Sequence, residues 1–334
     1  MGVYIIAEAG VNHNGDINIA KRLIDTAVDA GVDAVKFQTF KTEKIVGKFA
    51  NKATYQIENT GEEESQFEMV KKLELSYEAF RELKEYCDKK GITFISTPDE
   101  SDSLDFLAEL GVPLIKIGST EVTNLKFLKQ IARKQLPIIL STGMSTLGEV
   151  ENALKAIYCE GNHNITIMHV TTDYPTMPED VNLRAMITMR DAFKVPVGYS
   201  DHTLGNEAAV AAVALGAVTI EKHFTLDKNM EGPDHKASLN PEELNIFVKA
   251  VRDAEKMLGD GIKNPTKREE SIMEAARRSI VAARDLKEGT ILDESMLEFK
   301  RPGNGLKPEL ISFIIGRKLK RSLMEDELIT LDDI

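Results

Sequence analysis

Eight short apolar segments alternate with helix-like stretches along this chain, and the alternation limits what it can fold into. Eight β–α repeats in succession are typical of a (β/α)8 TIM barrel, in which chemistry gathers at the carboxyl ends of the strands. The segments are YIIAEAG from Tyr4, DAVKFQT from Asp33, TFISTP from Thr93, PLIKIGS from Pro113, PIILSTG from Pro137, ITIMHVT from Ile165, VPVGYSD from Val195 and VTIEKHF from Val218. The predicted fold class is therefore α/β.

Polar side chains occupy the carboxyl ends of these predicted strands. The ionisable ones are Glu8, Lys36, Lys116, His169, His202 and His223. Amide and hydroxyl groups are added by Gln38, Thr97, Ser119, Ser141 and Thr142. One barrel mouth would then hold a carboxylate, two lysines and three histidines, which predicts an active site at that mouth.

The pattern changes after the barrel, and a second, smaller domain is predicted. The barrel is assigned to residues 1–262, a polar linker to 263–277, and a compact domain of short strands and turns to 278–334. A domain of under about 60 residues is marginally stable alone, so we expect it to dock on its own barrel or on a partner's. The segment 40–76 is too long for an ordinary loop after a strand and predicts a lid or a substrate wall.

Composition and charge argue against several classes of function. The formal net charge of −12 disfavours nucleic acid and anionic membranes as partners. No apolar run approaches the roughly 20 residues of a membrane span, and because the chain enters a strand almost at once we expect no signal peptide. Cys87 and Cys159 are the only cysteines, and both fall in predicted helices. This usage argues against a disulfide framework and predicts a cytoplasmic protein.

Two histidines, His202 and His223, follow the last two strands in SDHT and EKHFT. Neighbouring strand ends lie roughly 5 Å apart, so two imidazoles there can share one divalent metal, with water or substrate in the remaining positions. Two nitrogen ligands predict a weakly held, catalytic Mn2+ or Mg2+ and not a structural zinc. The alternative is a pair of polar histidines with structural roles only. Asp234, in EGPDH, is a further candidate ligand or substrate contact, or a turn aspartate.

Lys36 and Lys116 are each flanked by apolar residues within a strand, in AVKFQ and LIKIG. A lysine that pointed into the helix layer would be buried and unpaired, which is costly. Facing the barrel mouth, each can bind a phosphate or a carboxylate. Neutral donors to the same oxygens would come from the hydroxyls of Thr97, Ser119, Ser141 and Ser200. Structural ion pairs with Glu8 or Glu121 are the alternative, and the chain has no glycine-rich phosphate loop.

Glu8 and Arg301 are the other two candidates. Glu8 lies in the first strand, which is otherwise apolar. A buried carboxylate there needs a partner, so Glu8 is either a general acid–base group or half of a structural ion pair. Arg301 lies in KRPGNG of the small domain, where PG and NG indicate turns. It would sit at an exposed loop tip, and by itself it indicates no more than a solvated arginine.

In their order and spacing, these motifs resemble the sialic acid (N-acetylneuraminate) synthase family of bacterial type. The resemblance covers essentially the whole chain, and SDHT followed by EKHFT is quite specific. The tail, RRSIVAARDLKEG followed by KRPGNG, resembles the antifreeze-like (SAF) domain of that family. The motifs that carry the resemblance are IIAEAGVNHNG, AVKFQTF, FISTP, IKIGS, IILSTGM, GYSDHT, IEKHFT and GPDHKAS.

The resemblance implies a metal-dependent transferase of carbohydrate biosynthesis. It would condense phosphoenolpyruvate with the open-chain form of an N-acylated mannosamine-type sugar, release phosphate and form a nine-carbon 2-keto acid. We expect N-acetylmannosamine as the sugar and N-acetylneuraminate as the product. The alternative is a legionaminate synthase that uses 2,4-diacetamido-2,4,6-trideoxymannose, since such relatives look similar throughout.

The same resemblance implies roles for individual residues. His202 and His223 would hold Mn2+ or Mg2+, which would polarise the sugar aldehyde, and Glu8 would handle the proton of the water or hydroxyl. Phosphoenolpyruvate would be bound by Lys36, Thr97, Lys116, Ser119, Ser141 and Ser200. The sugar would be contacted by Gln38, Glu121, Tyr174 and Asp234. In that family the SAF domains swap across a homodimer, so Arg301 would reach the partner's site and bind the N-acyl group.

The chain departs from some members of the family at two places. Thr172 stands in TTDYPT where some members have asparagine, and EAARRS around Arg277 lacks an aromatic wall residue. One phosphoenolpyruvate contact and the wall of the sugar pocket are therefore expected to differ.

Two functions of other classes compete with this one. A Schiff-base aldolase with Lys36 or Lys116 as nucleophile would need no metal and would be trapped by borohydride with pyruvate. A non-enzymatic interpretation makes the tail a binding module on an inactive barrel. The intact set of Glu8, both lysines and both histidines argues against that decay.

Overall fold

Eight parallel strands form one nearly closed barrel in the first of two compact units, which ends at Gly259. The computed structural model describes residues 2–61 and 63–334. The strands are β1 (Tyr4–Gly10), β2 (Ala34–Thr39), β3 (Thr93–Pro98), β4 (Ile115–Ile117), β5 (Ile138–Ser141), β6 (Ile165–His169), β7 (Val197–Asp201) and β8 (Thr219–His223). Their order is β3-β2-β1-β8-β7-β6-β5-β4, and β3 and β4 lie side by side at its two ends. The prediction of a TIM barrel is confirmed.

Helices follow the strands and cover the barrel with apolar faces. They are α1 (Ile17–Ala30), α2 (Thr42–Ile45), α3 (Thr54–Thr60), α4 (Gln66–Lys72), α5 (Tyr77–Lys90), α6 (Ser101–Leu110), α7 (Leu125–Arg133), α8 (Leu147–Tyr158), α9 (Arg184–Phe193), α10 (Glu207–Ala214) and α11 (Pro241–Leu258). Side-chain caps explain where several of them begin. For α11, the Asn240 side chain accepts the Glu243 N–H, and Pro241 takes the first helical position, where no N–H is needed.

The barrel interior is divided into an apolar plug and a polar layer. Five buried side chains form the plug, namely Ile6, Ala34, Ile95, Ile139 and Met168. Because alternate residues of a strand face the same side, the residues two positions further along four of these strands also face inward. They are Glu8, Lys36, Thr97 and Ser141, and all four are buried. The change from apolar to polar at this step creates the floor of the barrel mouth.

The register of the strands sets which of these polar residues are neighbours. Glu8 lies opposite Lys36 on β2 and opposite His223 on β8. Ser200 on β7 lies opposite Glu221 on β8, and its hydroxyl donates to that carboxylate at 3.1 Å. The parallel register therefore brings the Glu8 carboxylate, Lys36 and His223 to the same height along the barrel axis.

The segment 40–76 after β2 contains the short helices α2, α3 and α4. Asn59 in α3 donates through its side chain to the backbone oxygen of Pro233 at 2.6 Å, which joins the segment to the loop that carries Asp234. Glu62, in the polar stretch of this segment, lies outside the described residues.

The second compact unit begins at Asp260, three residues before the predicted linker. It contains α12 (Glu269–Ala276), β9 (Ser279–Ala282), β10 (Leu297–Lys300) and α13 (Ile311–Ile314). Strands β9 and β10 pair antiparallel, and the small core around them includes Ile280, Leu292 and Ile314. The prediction of a small C-terminal domain of short strands and turns is confirmed. Cys87 and Cys159 are both free thiols. Of the helices in the described part of the chain, none has the length and apolarity that a membrane crossing needs.

Candidate active site

A cavity of about 630 Å3 opens at the carboxyl ends of the barrel strands. Its lining includes every barrel residue to which the sequence assigns a binding or catalytic role: Glu8, Lys36, Gln38, Thr97, Lys116, Ser119, Glu121, Ser141, Tyr174, Ser200, His202, His223 and Asp234. Arg301, the remaining predicted site residue, belongs to the second unit and is exposed. The fold thus brings the barrel residues together, and their roles in binding and catalysis stay predictions.

His169 does not line this cavity, so the expectation of three histidines in the mouth is wrong. Its predecessor Met168 packs into the apolar plug, and alternation along β6 turns His169 to the other side of the strand. There its Nε2 atom is 2.7 Å from the backbone oxygen of Val181. Thr142 is also turned away, and its hydroxyl donates to the backbone oxygen of Met168 at 2.8 Å. A polar residue at a strand end is not always an inward-facing one.

Two lysines and two carboxylates form the charged floor of the cavity. Lys36 Nζ lies 2.8 Å from Glu8 Oε1 and 3.8 Å from Glu221 Oε1. Lys116 Nζ lies 3.5 Å from Glu221 Oε2. Ion pairing, the alternative weighed for the lysines, does occur, but Lys116 pairs with Glu221 and not with Glu121. Both lysines nevertheless face the cavity, where they can also meet a ligand.

Burial alters the proton affinities of the charged floor. It raises the pKa of Glu8 to about 7, although the Lys36 charge acts in the opposite direction. Burial opposes the charged form of Lys36, but the carboxylates of Glu221 and Glu8 outweigh it and raise the pKa of that lysine. For Lys116 burial dominates and lowers the pKa. Burial also opposes ionisation of Glu221, but Lys116 and Lys36 outweigh it and lower its pKa. Within this floor, Glu8 is the group suited to exchange a proton near neutral pH.

Hydroxyl groups surround the two lysines. Lys116 Nζ donates to Ser141 Oγ at 2.7 Å, and Lys36 Nζ donates to Thr97 Oγ1 at 3.4 Å. Ser119 Oγ accepts from a backbone N–H at 2.9 Å, which orients its own proton donor away from that bond. Two cations with adjacent hydroxyls match the oxygens of a phosphate or a carboxylate.

The rings of His202 and His223 are neighbours, with their centroids 5.3 Å apart. His202 Nδ1 is 2.8 Å from the backbone oxygen of Thr171. A carbonyl only accepts, so Nδ1 carries the ring proton and Nε2 is left unprotonated. Burial lowers the pKa of His202 to about 4 and that of His223 well below its usual range, so both rings are neutral at pH 7. Neutral imidazole is the form that binds metal ions.

The chemistry of these donors fits a divalent metal. The Nδ1 atom of His223 is buried and lacks a hydrogen-bond partner within residues 2–61 and 63–334. A buried polar atom of this kind is one that a bound ion would satisfy. Across the same residues, no three His, Cys, Asp or Glu side chains are grouped so as to hold a metal. An ion on His202 and His223 would therefore complete its coordination with water or substrate, and both its presence and its identity stay predictions.

The predicted sugar contacts Gln38 and Glu121 lie on the β2 and β4 sides of the cavity. Gln38 Nε2 donates to Glu8 Oε1 at 3.3 Å. Glu121 Oε2 accepts from the Asn124 side chain at 2.7 Å. These bonds orient both side chains before any ligand is present.

The other two predicted sugar contacts come from loops. The Tyr174 ring lies 4.1 Å from the His202 ring, centroid to centroid. Burial raises the pKa of Asp234 to about 6. Thr172, where a phosphoenolpyruvate contact is expected to differ, also lines the cavity, whereas Arg277 is exposed in the second unit.

Two carboxylates of the cavity, Glu221 and Asp99, were not predicted as binding or catalytic residues. Glu221 stands two residues before His223 on β8, so alternation turns both inward. Asp99 stands two residues after Thr97, one position beyond the end of β3. The signal was present in the sequence, since both lie two residues from a predicted site residue.

The segment 40–76 supplies an apolar wall of the cavity. The wall residues are Phe40, Ile45, Val70 and Leu73, which pack on one another. Together with Lys44 from the same segment, they bring a mixed surface to the cavity. The segment therefore forms a wall of the cavity, and its role as a substrate wall stays a prediction.

Comparison with known proteins gives matches over both units. Residues 23–263 match the NeuB family, and residues 277–334 match the SAF domain. The chain is 51% identical over 327 residues to the N,N'-diacetyllegionaminic acid synthase of Campylobacter jejuni, covering 97% of this chain and 98% of that protein. It is 47% identical to the synthase of the same name from Legionella pneumophila, covering 97% and 92%.

A solved structure agrees with these matches. The N-acetylneuraminic acid (sialic acid) synthetase of Leptospira borgpetersenii, in complex with citrate, superposes with a TM-score of 0.73 at 36% identity. The superposition covers 82% of this chain and 91% of that chain. The chain therefore belongs to the NeuB family of phosphoenolpyruvate-dependent enzymes that form a carbon–carbon bond, and it ends in a SAF domain.

Proposed function

We propose that this enzyme condenses phosphoenolpyruvate with open-chain 2,4-diacetamido-2,4,6-trideoxymannose and releases phosphate and N,N'-diacetyllegionaminate. The observation that carries the choice of sugar is the 51% identity to the Campylobacter synthase of that name, against 36% to the sialic acid synthetase structure. The relatives thus favour the alternative over our first expectation. N-acetylmannosamine, with N-acetylneuraminate as the product, is the second candidate.

Phosphoenolpyruvate would bind on the charged floor. Lys36 and Lys116 face the cavity with hydroxyls beside them, Thr97 at 3.4 Å and Ser141 at 2.7 Å. The phosphate and carboxylate oxygens would take these donors, and the hydroxyls of Ser119 and Ser200 would add to them. Each lysine would keep a carboxylate neighbour, so ligand binding shifts existing charge pairs and creates no isolated buried cation.

The sugar aldehyde would lie near the two histidines. When bound by His202 and His223, a divalent metal would polarise that aldehyde as a Lewis acid. The neutral state of both rings and the unprotonated Nε2 of His202 support this assignment. Gln38, Glu121 and Asp234 would orient the sugar by accepting from its hydroxyl and amide groups.

Glu8 would serve as the proton acceptor. Carbon 3 of phosphoenolpyruvate attacks the aldehyde carbon, and the cation that forms at carbon 2 takes up water. Glu8 would take the proton of that water, because its Oε2 is buried and has no hydrogen-bond partner in the described part of the chain. As the carbon–oxygen bond to phosphate breaks, the hydroxyl of the tetrahedral intermediate would give its proton to the departing phosphate, and the proton held by Glu8 would neutralise the alkoxide that the aldehyde oxygen has become.

A Schiff-base mechanism is disfavoured by the state of the lysines. A lysine attacks a carbonyl as the neutral amine, and neighbouring carboxylates raise the pKa of Lys36 despite its burial. Lys116, whose pKa is lowered by burial, is the stronger candidate of the two. Incubation with pyruvate and borohydride should leave the mass of the protein unchanged, whereas a covalent adduct on Lys116 would support an aldolase.

We also propose a homodimer in which the SAF domains swap, with Arg301 reaching the partner's site. The exposure of Arg301 at the tip of its loop and the small core of the second unit support it. The cytoplasmic location inferred from cysteine usage likewise stays a prediction.

Phosphate release from phosphoenolpyruvate tests the proposed function. The enzyme is assayed with Mn2+ or Mg2+ and with either 2,4-diacetamido-2,4,6-trideoxymannose or N-acetylmannosamine. We expect a higher kcat/KM for the diacetamido sugar. A higher value for N-acetylmannosamine would make the enzyme an N-acetylneuraminate synthase. Equal values would contradict the proposal that the enzyme prefers the diacetamido sugar.

A further inference from the structure

Asp99 faces the cavity two residues beyond Thr97, which belongs to the proposed phosphoenolpyruvate site. Its N–H donates to the backbone oxygen of Thr39 at 3.2 Å, so extended pairing continues one residue past β3. Thr97 and Asp99 therefore face the same side, about 6.6 Å apart along the strand direction. Both line the cavity, together with Glu121.

Nothing in the local fold requires an aspartate at this position. An acidic residue just before a helix is often its cap, but Glu100 caps α6 here, accepting from the N–H groups of Asp102 at 2.6 Å and Ser103 at 3.0 Å. The Asp99 carboxyl has no hydrogen bond and no ion pair with any residue that the structure describes. The nearby cation, Lys36, is 2.8 Å from Glu8 instead.

The surroundings of Asp99 disfavour its charge. Burial raises its pKa to about 7, the carboxylate of Glu121 adds to that effect, and Lys36 opposes it. A carboxyl group whose pKa is raised by its surroundings and which faces a cavity is typical of a binding function. The phosphate and carboxylate of phosphoenolpyruvate would be repelled here, so the matching ligand group is a neutral N–H or O–H donor of the sugar.

The cavity that Asp99 lines also has an apolar wall. Lys44 of α2 also lines the cavity and forms an ion pair with Asp102 of α6, the helix that follows Asp99 in the chain. Ile45, next to Lys44, packs with Val70 and Leu73 and faces the same cavity. A group that offers a polar N–H to a carboxylate and a methyl group to an apolar wall is an acylamino group, not a hydroxyl.

We propose that Asp99 is a specificity-determining residue that accepts the N–H of a second acylamino group on the sugar. The inference rests on the proposed function, because only the diacetamido sugar carries such a group. The first acylamino group remains the one assigned to Arg301. A charged acceptor bonded to an amide N–H is among the stronger hydrogen bonds of a binding site, and its loss leaves the donor unpaired.

Steady-state kinetics with a matched pair of sugars test the proposal. One is 2,4-diacetamido-2,4,6-trideoxymannose, and the other is 2-acetamido-2,6-dideoxymannose, which has a hydroxyl at carbon 4. Asp99→Ala should lower kcat/KM for the diacetamido sugar by about tenfold or more. We expect the value for the hydroxyl sugar and the KM for phosphoenolpyruvate to stay within about threefold. Asp99→Asn keeps an acceptor oxygen and should recover part of the loss.

Asp105→Asn is the control, because Asp105 lies in α6 and pairs with Lys134 at the surface. Equal losses with both sugars, a raised KM for phosphoenolpyruvate, or unchanged kinetics would each overturn the role of Asp99. If the wild-type enzyme prefers N-acetylmannosamine, the proposed function fails and this inference fails with it. If the wild-type enzyme prefers the diacetamido sugar and Asp99→Ala does not change that preference, the inference fails alone. Thermal unfolding of each variant establishes that it is folded.

Discussion

Lys222 Nζ lies 3.0 Å from Asp201 Oδ2 on the outer side of the barrel, and the two side chains are 2% and 0% exposed. The two residues face each other in the register of β7 and β8. Each directly adjoins a histidine of the candidate metal site, Asp201 beside His202 and Lys222 beside His223. The ammonium group faces the helix layer, 5.7 Å from the centre of the Phe247 ring. This ion pair thus joins the two strand ends from behind while the histidines face the cavity.

Lys222→Met should destabilise the protein strongly, because it leaves the Asp201 charge buried without its partner. The expected loss is about 3 to 5 kcal/mol in the free energy of unfolding. The double variant Lys222→Met/Asp201→Asn should recover part of it. Lys228→Met, which removes the half-exposed pair with Glu243, should cost less than about 1 kcal/mol. Urea unfolding of the four proteins provides the measurement, and equal losses for Lys222→Met and Lys228→Met would contradict it.

His202→Ala and His223→Ala should each abolish metal binding as well as turnover. Each removes one of the two nitrogens that the proposed ion would share. Titration calorimetry with Mn2+ measures binding directly, and we expect no detectable heat above dilution for either variant. The exposed His163, which stacks on Tyr158, gives the control variant His163→Ala. Turnover above a few per cent of the wild-type kcat without added metal would exclude the metal role.

Asp99→Asn should stabilise the protein at alkaline pH and have little effect at acidic pH. The folded protein holds the pKa of Asp99 at about 7, above its ordinary value of 3.8. Between these values the folded state binds the proton more tightly, so the stability of the wild type falls as pH rises from about 4 to about 7. The amide cannot ionise. Thermal unfolding at pH 5 and pH 8 should show a gain that is larger at pH 8 by about 2 kcal/mol, and a gain that is larger at pH 5 would contradict the prediction.

Arg301→Ala should weaken sugar binding without affecting phosphoenolpyruvate. If Arg301 binds the N-acyl group in a partner's site, its loss should raise the KM for the sugar by about tenfold. The KM for phosphoenolpyruvate should remain nearly unchanged. Arg284→Ala removes another exposed arginine of the second unit and serves as the control. Equal increases in both KM values would count against the proposed contact, and a monomer in sedimentation would count against the swapped dimer.

Strand alternation explains why much of the site could be predicted from the sequence. A polar residue two positions after an apolar plug residue faces the mouth, as Glu8 follows Ile6 and Lys36 follows Ala34. Alternation also separates His223, which stands two positions after the inward-facing Glu221, from His169, which directly follows the plug residue Met168. That a residue at a strand end is polar does not indicate which side of the strand it faces. The prediction that His169 lies in the barrel mouth relied on polarity alone.

The pairing of Lys36 with Glu8 was among the alternatives that the sequence offers, but other partners within the site could not be predicted, because they depend on distances across the barrel. Lys116 pairs with Glu221, which comes from a strand far from β4 in the barrel order. Asp99 lies in a turn-like TPDES sequence, where a capping role is the usual expectation. Only the observed bonds of Glu100 show that the cap is already supplied.

The balance of charge in the floor has a consequence for the kinetics of encounter. Lys36 and Lys116 are each matched by a carboxylate within the protein, and the chain carries a formal net charge of −12. An anionic substrate therefore approaches without a positive field to guide it. Its association should be slower than an electrostatically steered encounter and should rise slightly as salt screens the repulsion. The enzyme would then select its substrates by short-range hydrogen bonds in the bound complex, and not by the rate at which they diffuse to it.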